Sequence, residues 1–247
     1  MPTLMLRETL ISYDNRYEHY QVPEHIRTIS ANCFNERWEL RWLTLPEGIG
    51  TIGDNAFRMC IHLERIDMPS CVDEIGEGLF KQCRSLKSIA MPKGTRRIDF
   101  EMFRDCEALA EIVLPETIET VHESAFASCR NLRSLVVPEK VFCILPERTQ
   151  NMAARTYMER AKSFEDSAVF NSYIGAHERS LVEGAIAENQ IRAVRYMAER
   201  GMISPENIPR YLDGSGEKKR TEITAILLEA QKNNEEDLLD WDPFGDL

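Results

Sequence analysis

The sequence predicts an α/β chain: a solenoid of 23-residue repeats built on short strands, followed by a small α-helical domain. Three observations carry this reading. Six prolines, Pro23, Pro46, Pro69, Pro92, Pro115 and Pro138, stand 23 residues apart without one insertion or deletion. The segment before each proline alternates at period two, as in LERIDMP and AEIVLP, the pattern of a strand with one buried face. After Pro146 the 23-residue phase ends and apolar residues recur at helical spacing.

A stack of repeats exposes an apolar coil at each end unless something covers it. Residues 1–22 fit that need as an N-terminal cap. Leu4, Leu6, Leu10, Ile11 and Tyr13, then Tyr17, Tyr20 and Val22, predict a strand, a turn at Asp14-Asn15 and a return into the first repeat.

Residues 23–146 form the solenoid. Phe34, Phe57, Phe80, Phe103 and Phe126 keep the 23-residue step, as do Leu40, Leu63, Leu86, Leu109 and Leu132. Further ladders run through Ile29, Ile52, Ile75, Ile98 and Val121, and through Leu43, Ile66, Ile89, Ile112 and Leu135. One unit cannot bury its own apolar face, but stacked units give each ladder neighbours about 4.8 Å above and below. Proline removes a backbone donor and ends each strand. The second half of the unit holds a turn in which Gly53, Gly76, Asp99 and His122 succeed one another. These residue types tolerate positive φ, so a left-handed backbone is expected there.

Cys60, Cys83, Cys106 and Cys129 form another ladder, with Arg37 in the first copy. Zinc sites need thiolates converging on one point. A ladder instead places each sulfur in the same layer, where cysteine acts as a small hydrophobe. Cys33, Cys71 and Cys143 lie outside it.

The unit Leu-x-x-Ile-x-Leu/Met-Pro, followed by x-x-Ile-x-x-Ile-Gly-x-x-Ala-Phe-x-x-Cys, resembles the BspA-type leucine-rich repeat, also called the Treponema pallidum type. The match is full over residues 23–138. VPEKVFCIL starts another copy, with Val141 and Ile144 in phase, before Leu145 replaces Gly and Thr149 replaces Phe. The resemblance implies a binding role, often at a cell surface.

Two columns of strand residues between the inward ladders face solvent. One is Trp42, Arg65, Ser88, Glu111 and Ser134; the other is Thr44, Asp67, Ala90, Val113 and Val136. Solenoids commonly bind through such surfaces, and aromatic and Arg side chains are favoured anchors. Trp42, Arg65, Asp67, Ala90, Glu111, Val113 and Val136 are therefore the expected partner-binding residues on the solenoid.

Residues 147–232 read as helices. NMAARTYMERAKSF is followed by ERSLVEGAIAEN and QIRAVRYMAERG, joined at Asn189 and closed by Gly201 as a residue just past a helix end. Ser204-Pro205-Glu206 reads as a helix start, and a last helix is expected at about 218–232. SLVEGAIAENQIRAVRYMAERGMIS resembles the paired helices of an ankyrin repeat without its Thr-Pro-Leu-His signature. The helical domain is expected to cap the last repeat or to offer a second binding surface.

Residues 233–247 carry six acids and no base. This stretch is expected to be a disordered tail that aids solubility, or alternatively one in which Trp241 and Phe244 form a short docking motif. It also accounts for more than half of the net charge of −11, which argues against nucleic acid or anionic lipid as partner.

No apolar run approaches the ~20 residues that cross a bilayer, and the opening MPTLMLRETLISYD does not read as a secretory signal. Seven cysteines without such a signal predict reduced thiols in the cytoplasm. His19, His25, His62, His122 and His177 sit in no metal-binding spacing, and the phosphate-loop, Rossmann, zincin and nucleophile-elbow motifs are missing from the sequence. YLDGSGEKKR at 211–220 reads as a flexible connection between helices. The expected function is a non-enzymatic protein-interaction module with no cofactor and a protein partner. Two alternatives are a surface or secreted adhesin, and an accessory subunit of an enzyme, phage or defence system.

Overall fold

The computed structural model describes residues 3–13, 17–70, 72–161, 167–217 and 220–239. The chain divides into two compact units, Met1–Gln150 and Asn151–Leu247.

The first unit opens with a hairpin, β1 (Leu4–Leu6) antiparallel to β2 (Thr9–Ser12). Its turn falls at Arg7-Glu8, and Arg7 has a φ of 53°. This turn was not read from the sequence, and Asp14 and Asn15 lie outside the described residues. Leu10 and Tyr13 are buried as expected, whereas Leu4 and Leu6 of the edge strand β1 are exposed.

Two strands per repeat follow. They are β3 (His19–Gln21), β4 (Thr28–Ile29), β5 (Trp42–Thr44), β6 (Thr51–Ile52), β7 (Arg65–Asp67) and β8 (Glu74–Ile75). Then come β9 (Ser88–Ala90), β10 (Arg97–Ile98), β11 (Glu111–Val113), β12 (Thr120–Val121) and β13 (Ser134–Val136). Parallel pairing keeps the 23-residue register. Ile29 sits beside Ile52 and Ile52 beside Ile75 in the sheet β1-β2-β4-β6-β8, and Leu10 of the cap joins the row beside Ile29 at a step of 19. The three-residue strands form β3-β5-β7 and β9-β11-β13, while β10 pairs with β12. Both stacks of strands are therefore interrupted between the same two repeats. The turns on the other side of the coil still join across that gap, because the Phe80 N–H donates to the Met102 carbonyl at 3.0 Å.

The core is the set of ladders. Phe34, Phe57, Phe80 and Phe103 are fully buried, with ring centroids 5.4–5.6 Å apart, and Phe126 continues the stack at 5.7 Å. The Cys60, Cys83, Cys106 and Cys129 thiols each donate to the carbonyl of the phenylalanine 26 residues earlier, at 3.0 Å. Cysteine suits this place because it fills a small apolar space and carries one weak donor for that carbonyl. Burial pushes the Cys33 and Cys60 thiols up to about 12 and raises Cys83 and Cys106 well above the usual thiol range. Cys71 lies outside the described residues, and Cys143 is exposed. Alkylation at neutral pH, followed by peptide mass spectrometry, is expected to label Cys143 and leave Cys60, Cys83 and Cys106 untouched until denaturant is added.

The left-handed positions are not those expected. The glycines with positive φ are Gly78 and Gly201, so Gly53 and Gly76 are not left-handed. They are glycines because neighbouring coils touch there. A Cβ on Gly53 would lie 2.4 Å from the Ala31 nitrogen, and one on Gly76 would lie 2.4 Å from the Asp54 nitrogen. Positive φ occurs instead at Asn32, Asn55, Gly78 and Glu101, and at Glu36, Met59, Gln82, Asp105 and Ser128. Both sets keep the 23-residue step.

The incomplete copy after Pro138 becomes α1 (Glu139–Phe142) and runs into α2 (Glu147–Arg160). Val141 is buried in phase as expected, whereas Ile144 is exposed.

The second unit continues α2 and adds α3 (Ala168–Ala176), α4 (Glu178–Glu188), α5 (Ile191–Glu199), α6 (Ile208–Glu217) and α7 (Thr221–Leu239). Asn189 ends α4 in the left-handed conformation, and Gly201 past α5 has a φ of 63°, as the sequence predicts. Ser204 precedes a 3₁₀ turn, Pro205–Asn207, without capping it. Its hydroxyl donates to Glu178 Oε2 at 2.6 Å, and Tyr211 donates to Glu178 Oε1 at 3.0 Å.

The expected flexible connection at 211–220 is largely helix. Gly214-Ser215-Gly216 lies within α6, where the fully buried Ser215 hydroxyl donates to the Leu212 carbonyl at 2.9 Å and lies 2.8 Å from Thr224 Oγ1. Tertiary contacts thus override the weak helix propensity of glycine. The last helix also continues beyond 232 into the acidic stretch, because each residue added to a formed helix gains a hydrogen bond without a new nucleation cost. Residues 240–247, with Trp241 and Phe244, lie outside the described residues. Among the described residues no helix is long and apolar enough to cross a membrane.

Candidate functional site

The outward columns are real, and one groove gathers their first positions as far as Ser88 at the start of β9. Leu43, Ile66 and Ile89 point into the core, so their neighbours on each strand point out. In β3-β5-β7, His19 pairs with Trp42 and Trp42 with Arg65, while Thr44 pairs with Asp67. Trp42 is 53% exposed. The His19 ring meets it edge-on, with centroids 4.1 Å apart and planes at 81°, which limits where the indole can turn. Arg65 Nε donates to Asp67 Oδ1 at 2.8 Å, and Thr44 Oγ1 donates to Asp67 Oδ2 at 3.4 Å. Trp42, Thr44, Arg65 and Asp67, with Glu64, Lys87 and Ser88, line an open groove of about 440 Å³.

Beside the groove runs a ladder of alternating charge. Arg41 lies 3.7 Å from Glu18 and donates to Glu64 at 3.0 Å, and Lys87 donates to the other Glu64 oxygen at 2.5 Å. The Lys87 ammonium, then the Arg41 guanidinium, hold the Glu64 carboxyl below the usual carboxylate range. Glu64 therefore gives up its charge at a lower pH than an ordinary glutamate does. Its folded-state pKa is depressed, so whatever this cluster adds to stability is complete above the unfolded-state pKa and is lost as the pH falls through the folded one. NMR titration is expected to place Glu64 below a free glutamate, and Lys87→Ala is expected to move it up.

The groove presents the indole face, with hydrogen-bond donors and acceptors of both signs around it. Among the described residues, no group of three or more His, Cys, Asp or Glu side chains is placed to hold a metal ion.

Of the residues expected from the sequence, Trp42, Arg65 and Asp67 come together in the groove. Ala90, Glu111, Val113 and Val136 sit on β9-β11-β13 and do not line it. Glu111, Val113 and Val136 are also half-buried. Glu64 and Lys87 were missed. Their signal was present, since Glu18, Arg41, Glu64 and Lys87 keep the 23-residue step with alternating sign. Trp38 and Phe100 are exposed aromatics outside any ladder.

The sequence pattern of the BspA type Leucine rich repeat region matches residues 12–148 in six copies. No curated protein matches the chain significantly. Among solved structures, it is similar to a leucine rich cell surface protein from Faecalibacterium prausnitzii, at 32% identity and a TM-score of 0.50. That likeness covers 52% of this chain and 34% of the other. It is also similar to the T. pallidum leucine rich repeat protein, at 26% identity and a TM-score of 0.51, over 53% of this chain and 64% of the other. The chain thus spans less than two thirds of either relative. The repeat pattern matches over more than half of the sequence, and the same ladders build the core: this chain belongs to the BspA-type leucine-rich repeat family.

Proposed function

We propose that the chain is a non-enzymatic protein-interaction module that offers the β3-β5-β7 face to a protein partner, with Trp42 as the anchor. The observation that carries this is a half-exposed indole fixed on a paired strand, inside a groove rimmed by both signs of charge. A side chain already held in place loses little freedom on binding, which leaves more of the contact energy as affinity. Membership of a leucine-rich repeat family supports the reading, since stacked repeats use such surfaces for binding.

The test is affinity capture from the native host with immobilised wild-type chain, Trp42→Ala, Arg65→Glu and Val113→Glu. Partner recovery is expected to fall for the first two variants and to persist for Val113→Glu. Equal recovery with all four chains contradicts the assignment.

A second reading, an adhesin at a cell surface, is favoured by the likeness to the F. prausnitzii protein described as a leucine rich cell surface protein. A cytoplasmic setting would suit the seven cysteines of the sequence, which favour a reducing compartment. Fractionation of the native host separates them. Soluble cytoplasmic recovery supports the module, and envelope or culture-fluid recovery supports the adhesin.

A further inference from the structure

A second groove, unrelated to the strand face, lies within the helical unit. It is about 210 Å³ and is lined by Met158 of α2 and by Arg192, Arg195, Tyr196, Glu199 and Arg200 on and just after α5. The apolar floor is Met158 and the buried Tyr196 ring, over which the Arg200 guanidinium sits at 3.9 Å. The rim holds three guanidiniums against the single Glu199 carboxylate. Arg195 also bridges to Glu222 at 3.3 Å, so the rim keeps an excess of positive charge. A groove of this kind suits an aromatic side chain flanked by carboxylates.

The chain itself carries such a segment outside the described residues. In 240–247 the sequence DWDPFGDL places Asp240 and Asp242 on either side of Trp241, and Asp246 beyond Phe244. We infer that the Arg192–Arg195–Arg200 groove receives the acidic aromatic tail of a second copy of this chain, with Trp241 packed between Met158 and the Arg200 guanidinium.

Reach decides between the two possible sources of the tail. Glu222 bridges to Arg195 near the start of α7, and the helix then runs to Leu239, about 26 Å further at 1.5 Å per residue. Trp241 follows two residues later and can return no more than about 7 Å. Trp241 therefore falls short of the groove on its own chain, so a seated Trp241 comes from another molecule. Two copies that exchange tails satisfy both grooves and close as a two-fold dimer.

Sedimentation velocity of the full chain over a range of concentrations tests this. Three chains are compared: wild type, the groove variant Arg192→Glu/Arg195→Glu and the tail variant Trp241→Ser. Wild type is expected to dimerise, and either variant to weaken the dimer by at least about tenfold. An equimolar mixture of the two variants keeps one intact tail–groove pair, so it is expected to associate more tightly than either alone. A third variant guards against a misfolded groove. Adding Asp240→Lys/Asp242→Lys to the groove variant reverses both charges and is expected to restore self-association in one chain. A wild-type chain that stays monomeric, a dimer unchanged in either variant, or a mixture that gains nothing overturns the inference. The last result is the one expected if a tail seats Phe244 in its own groove.

Discussion

Phe80→Ala is expected to destabilise the repeat unit by about 3–5 kcal/mol. Phe80 is fully buried and stacks on Phe57 at 5.4 Å and on Phe103 at 5.6 Å. Removing the ring leaves a void in the middle of the ladder, and neither neighbour can fill it without leaving its own register. Each coil is stabilised chiefly by the coils above and below it, so the loss falls on two interfaces at once. Urea unfolding followed by circular dichroism measures the effect. Phe126→Ala is the comparison, because Phe126 ends the ladder and is half-buried, and its cost is expected to be smaller. Equal midpoints for Phe80→Ala and wild type would sink the claim that the aromatic ladder holds the solenoid together.

Gly94→Ala is expected to cost about 3 kcal/mol, at the upper end of ordinary overpacking. A Cβ on Gly94 would lie 1.9 Å from the Val72 carbonyl oxygen and 2.8 Å from its carbon. Both atoms belong to backbone, so no rotamer change relieves the clash. The Lys93 N–H donates to the Ser70 carbonyl at 3.0 Å just beside it. The methyl group would therefore pry apart one of the contacts that still join the repeats where the strand stacks are interrupted. Gly50→Ala serves as control, since its Cβ would meet only the flexible Asp73 carboxylate at 3.4 Å. Thermal melts are expected to separate the two variants by several degrees, on the order of 2–4 °C per kcal/mol for a unit of this size.

The 23-residue step made the solenoid legible because each ladder is a direct record of which atoms stack. Phe34 to Phe126 and Cys60 to Cys129 could be placed from the sequence alone. Backbone conformation was less legible. Gly53 and Gly76 looked like turn residues, but a missing Cβ serves close approach as well as positive φ, and here close approach is the reason. The left-handed positions include Met59 and Gln82, which carry no sequence signal. Coil-to-coil hydrogen bonds hold them, as when the Met59 N–H donates to the Lys81 carbonyl at 2.8 Å and the Gln82 N–H to the Arg104 carbonyl at 2.7 Å.

The candidate site was half legible for a related reason. Period reports the phase of a strand and says nothing of the spacing between coils. It does not tell which outward positions one groove gathers, so Ala90, Glu111, Val113 and Val136 were grouped with Trp42, Arg65 and Asp67, although the groove reaches only to Ser88. The groove's charged rim was available as a column of alternating sign, which a search limited to apolar ladders passes over. In the helical unit, Gly214-Ser215-Gly216 reads as a loop by propensity, and only the buried hydrogen bond of Ser215 reverses that.

The account rests most heavily on Trp42. The direct measurement is the dissociation constant of the captured partner for wild type and for Trp42→Ala, made by calorimetry with equal melting temperatures confirmed for the two chains. A central aromatic anchor contributes about 2 kcal/mol or more, so the variant is expected to bind about 30-fold more weakly. A dissociation constant unchanged by removal of the indole would contradict the assignment of this face as the binding surface.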